Sequence, residues 1–163
     1  MKATVLVVAN RTATSAGLLT CLLQRVERSD VRVDLLVPPT VPGPAGRAEA
    51  RQNLDTALAQ FAEAGLEAAG RVGNDTDPVV AVLEAFDPAR HDEILVSTLP
   101  ASISHWLGAD GPARIARGTG AIVRHVVAQQ ERPSPRVVHV ERPPGHGVLA
   151  PFAALGHGGQ RAG

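Results

Sequence analysis

The stretch EILVSTLPASISHWLGADGPARIAR, residues 93–117, joins an apolar run to the start of a helix. In α/β chains such a junction is where backbone N–H groups converge on phosphate oxygens, provided glycines let the chain turn with positive φ. Here the turn carries Thr98, Leu99 and Pro100, and Pro100 has no N–H to donate. A non-glycine residue in the left-handed region costs about 1–2 kcal/mol. A hydrogen bond to a charged group contributes roughly 1.5–3 kcal/mol. The junction therefore argues against tight triphosphate binding. It keeps the hydroxyls of Ser97 and Thr98, the imidazole of His105 and the indole of Trp106, the single tryptophan of the chain. Near the end of the first apolar run stand Asn10 and Thr12. Asn10 can hydrogen-bond a ribose or an adenine edge but brings no charge.

These residue types also have plain structural uses. The hydroxyls of Ser97 and Thr98 can satisfy strand-end and helix-start backbone groups. Trp106 beside Leu107 can anchor a helix on a sheet, or stack on a base. His105 and Arg114 could meet an anion, whereas Arg114 and Arg117 also suit a solvated helix face. His146 and His157, each flanked by glycines, have no cysteine or carboxylate nearby, so no metal site is expected. The chain holds no Ser-His-Asp, HExxH or CxxC arrangement, which makes an enzyme the weakest reading.

The elements that position these residues follow from pattern. TVLVVA (4–9), VRVDLLV (31–37), the weaker LEAAGRV (66–72), EILVST (93–98) and AIVRHVVA (121–128) read as strands. Between them, Leu18, Leu19, Leu22, Leu23 and Val26 form a helical stripe behind a Thr14 or Ser15 cap, with Cys21 beside it as core filler. PPTVPGPAG predicts a loop, followed by a helix from about Arg47 to Ala64 with Gly65 as its stop. Asp77 and Pro78 open a third helix whose Val79, Val82, Leu83 and Phe86 face inward. The fourth helix is irregular, with Asp110 and Pro112 as one start and Gly118 as the stop; Asp92 and Glu93 are expected at the surface. Strands alternating with helices imply a parallel sheet with right-handed crossovers. The domain is expected to span 1–128, and 129–163 reads as a Pro/Gly-rich tail with one short strand near 136–140.

Composition narrows the function classes. Sixteen basic and sixteen acidic residues balance in a chain of 163, which removes any global charge argument for nucleic acid or a membrane surface. The single cysteine excludes an internal disulfide, and neither a signal peptide nor a membrane span is visible. A soluble cytoplasmic protein is expected.

Over about residues 3–128 the chain resembles the universal stress protein family. The resemblance rests on VLVVANRTATS, AGLEAAGRVGNDTDPVVAVLEAF and DEILVST. It implies an α/β fold, a doubly wound five-stranded parallel sheet in the order 3-2-1-4-5, with ATP in many members bound between strands one and four. Two marks of the ATP-binding branch are changed here. The aspartate ending strand one is Asn10, and G-x2-G-x9-G-[S/T] after strand four is matched neither with its last glycine on Gly108 nor with its first on Ser97. The resemblance thus implies a non-enzymatic stress protein acting by binding or regulation, without a cofactor. The alternative is a binder of AMP, a nucleoside or another small ligand in a cleft of Asn10, Thr12, Val37, Ser97, Thr98, His105 and Trp106. Family members commonly dimerise through strand five, which implies a homodimer edge at Ile122, Arg124 and Val126, with RVVHV of the tail as competing cover.

Overall fold

Short, β-branched, fully apolar runs such as Val5–Val8 suit strands covered on both faces, and the computed structural model builds them so. It describes residues 2–100, 107–108 and 110–128; the tail expected at 129–163, with its strand near 136–140, lies outside the described residues. Five parallel strands, β1 (Ala3–Val8), β2 (Val31–Val37), β3 (Ala68–Val72), β4 (Glu93–Thr98) and β5 (Val123–Val127), lie in the order β3-β2-β1-β4-β5. Helices α1 (Ala16–Arg28), α2 (Gly43–Glu63), α3 (Pro78–Ala85) and α4 (Gly111–Thr119) connect them. The fold class and strand order match the expectation.

Period-two alternation splits the core into two layers. Val5, Val7, Val33, Leu35 and Leu95 pack with Leu18 and Leu22 of α1 and Leu54 and Phe61 of α2. Leu6, Val8, Leu36, Ile94 and Val96 pack on the opposite face with Val79 and Val82 of α3 and Ile115 of α4. Each large side chain buried this way contributes roughly 1.5–3 kcal/mol. Local chemistry sets the helix starts. Ser15 Oγ accepts the N–H of Leu18 at 3.2 Å, and Asp77 Oδ1 accepts that of Val79 at 2.8 Å, with Pro78 in the first turn. Gly65, at φ +77°, ends α2 as expected.

Four expectations need correction. The helix α2 begins at Gly43, inside the predicted loop, because Pro44 sits in the first turn where its missing N–H has no partner to lose. The stop after α4 is Gly120, at φ +69°, not Gly118. Gly118 lies within the helix, where a Cβ would come 2.5 Å from Leu83 Cδ2. Leu83 is 44% exposed, so it reaches across to α4 and does not enter the core. Glu93 is buried at 6% exposure, held by Arg25 Nε at 2.8 Å and Arg124 Nε at 3.0 Å. A carboxylate can be buried at that cost only when paired, and α1 and β5 supply the pairs.

Candidate functional site

Parallel strands bring their carboxyl ends together, and the chain leaves β1 toward β2 on one side and adds β4 on the other. That reversal opens the crevice where doubly wound sheets hold ligands. Asn10 and Thr12 follow β1, Val37 ends β2, and Ser97 and Thr98 end β4; all five are buried. Sequence reasoning thus named residues that the fold does collect, while His105 and Trp106 lie outside the described residues.

The bonding of these side chains is mostly internal. Asn10 Nδ2 donates to the Pro38 carbonyl, and its Oδ1 accepts Asn53 Nδ2 of α2 at 2.9 Å. Thr12 Oγ1 donates to the Ser97 carbonyl at 2.9 Å, closing the turn after β1 onto β4. Thr98 Oγ1 lies 2.8 Å from Nε2 of His125 in β5. Ser97 Oγ is fully buried and has no hydrogen-bond partner, alone among the described residues. The expectation that both hydroxyls serve backbone groups is therefore corrected. Thr98 pairs with a side chain and Ser97 with nothing, the two side chains pointing to different faces of the sheet.

The β5 edge is mixed. Ile122 precedes the strand and is 66% exposed; Val127 is also exposed. Arg124 is tied inward to Glu93, and Val126 is half-buried against the α1–α2 layer.

No family model matches the chain, and no curated protein sequence matches it. Solved structures do. A universal stress protein from Archaeoglobus fulgidus superposes with a TM-score of 0.57 at 12% identity, over 77% of this chain and 93% of that one. The same organism's protein in complex with dAMP gives 0.55 at 13%, over 77% and 97%. A universal stress protein in complex with cAMP gives 0.54 at 23%, over 78% and 98%. This is the universal stress protein fold.

Within the universal stress protein fold of this chain, a second polar region escaped the sequence reading. Its signal is the alternation in VRVDLLV, where Arg32 and Asp34 share a face with Leu36. Asp34 is buried, yet it belongs to the α3 side of the sheet, beside a cavity of ≈ 620 Å³ at the amino ends of β2 and β3. His91 Nδ1 accepts the Asp87 N–H at 3.0 Å, which leaves Nε2 to donate to Asp34 Oδ2 at 3.0 Å. Arg71 of β3 stands 3.7 Å from the same oxygen and donates to the Ala85 carbonyl at 2.9 Å. Both ring nitrogens of His91 are engaged, so the trio is a structural unit with no free base. At the mouth, Glu67 accepts Lys2 at 2.6 Å and also Arg32. Hydrogen bonding to Lys2, then to Arg32, holds the Glu67 carboxyl below its usual range; the same bond to Glu67, then Asp30, raises Lys2.

Proposed function

We propose that this chain is a universal-stress-like protein that acts by binding or regulation without catalysis, and that it binds ATP weakly or not at all. The observation that supports this reading is the internal use of the crevice. Asn10, Thr12 and Thr98 each spend a polar atom on protein partners, so a nucleotide would meet few free donors. Pro100 at the turn after β4 removes one more. The reading places the protein in the cytoplasm as a homodimer paired through β5, where exposed Ile122 and Val127 need cover. A monomer in sedimentation at micromolar concentration would remove the dimer.

A second reading, a binder of AMP, a nucleoside or another small ligand, is supported by the unpartnered Ser97 Oγ and by the ligands in the neighbours' structures, cAMP and dAMP. Thermal denaturation with ATP, ADP, AMP, adenosine and cyclic AMP separates the two. A ligand at about 100 times its Kd adds about 2.7 kcal/mol of stability. The first reading expects no shift that saturates at micromolar concentration with any of the five. The second expects one with AMP, adenosine or cyclic AMP but not with ATP. A shift with ATP that saturates at micromolar concentration, the mark of tight binding, overturns both.

A further inference from the structure

The α3 face of the sheet is unevenly covered. Helix α3 has 8 residues against 21 for α2 on the other face, and none of its residues lines the space beside Arg32 and Asp34. Among the described residues no helix closes over that end, and the space there is the cavity of ≈ 620 Å³. That volume lies in the range of small-molecule sites, about 300–1,000 Å³.

The charges lining this cavity do not cancel. Three arginines, Arg32, Arg71 and Arg90, face two carboxylates, Asp34 and Glu67. Glu67 is already shared by Arg32 and Lys2, and Asp34 by Arg71 and His91. Arg90 forms no ion pair or side-chain hydrogen bond among the described residues. Arg71 spends Nη2 on the Ala85 carbonyl and Asp34, so its guanidinium is held in place with other N–H groups unspent. Arg71 and Arg90 also line the neighbouring cavity of ≈ 320 Å³, between β3 and α3, which places them at the wall the two cavities share. That smaller space is lined by exposed Glu84 as well, whereas the larger has no unengaged carboxylate.

We propose that the larger cavity is a binding site for a small organic anion, its carboxylate or phosphate group held between Arg71 and Arg90. Arg71 is the fixed member of the pair and Arg90 the adjustable one. A guanidinium offers the paired N–H groups that both oxyanions accept, so the shared chemistry is the oxyanion. The site is separate from the carboxyl-end crevice and does not depend on its occupancy.

The test is titration of the full chain with succinate and with inorganic phosphate, against sodium chloride of matched ionic strength. Two-dimensional NMR reads the Arg71 Nε–Hε and Gly70 amide signals. A saturable shift with succinate alone, phosphate alone or both supports the site and assigns its oxyanion. Arg90→Gln, an exposed change that leaves the fold intact, weakens that binding roughly five- to tenfold, the loss of one partly solvated charge-assisted bond. Arg51→Gln, on the exposed face of α2, leaves it unchanged. Shifts that do not saturate, that chloride reproduces, or that Arg90→Gln leaves intact overturn the proposal.

Discussion

The carboxyl-end crevice and the groove over β2 and β3 are both polar places on one sheet, yet they differ in what their side chains have left to offer. At the crevice, Asn10 bridges Pro38 and Asn53, Thr12 grips the Ser97 carbonyl and Thr98 meets His125. In the groove the carboxylates are satisfied while guanidinium N–H groups remain. Position in a fold tells where a ligand would lie; the donors left over after folding tell whether one can be held. The crevice has the position and the groove has the surplus.

The largest effect should come from breaking the groove at its buried anchor. Asp34→Ala leaves His91 Nε2 and Arg71 without their common acceptor. Losing a partner from a fully buried pair costs about 3–5 kcal/mol. Because the Arg71 side chain is 42% exposed, water replaces part of the loss, and a cost of about 1–3 kcal/mol is expected. Urea denaturation checks it, and a loss below about 0.5 kcal/mol, the size of an ordinary surface change, would show that the trio holds nothing together.

A smaller effect of the opposite sign is expected at the crevice. Ser97 Oγ is buried without a partner, so Ser97→Ala removes an unmet hydrogen-bonding group and changes only one atom of volume. Stability should stay level or rise by up to about 1 kcal/mol in the same denaturation series. A loss of more than about 1 kcal/mol would mean that this hydroxyl is bonded after all, and would take away the main support for the small-ligand reading.

Most of the architecture was legible because it depends on short-range rules. Short apolar and β-branched runs marked β1, β2 and β4, a Thr14 or Ser15 cap and Asp77 marked two helix starts, and Gly65 marked a stop. The errors fell where a residue's role depends on a distant neighbour. Gly118 looked like a terminator but is small so that Leu83 can approach it from α3. Glu93 looked like a surface residue because Arg25 and Arg124, 68 and 31 positions away, are the reason it can be buried. The crevice residues Asn10, Thr12, Val37, Ser97 and Thr98 were found from their place at strand ends, but their bonding partners were not.

The sequence by itself determined a doubly wound parallel sheet, through the periodicity and caps of neighbouring residues, and it determined that the turn after β4 lacks the glycines and one N–H of a phosphate cradle. Only the tertiary structure decided which polar groups are spent. Hydrogen bonds such as Asn10 to Asn53 and His91 to Asp34 join residues 43 and 57 positions apart, and no local pattern encodes them. The same holds for the open face over β2 and β3. It exists because α3 stops after two turns while the strands beneath it continue.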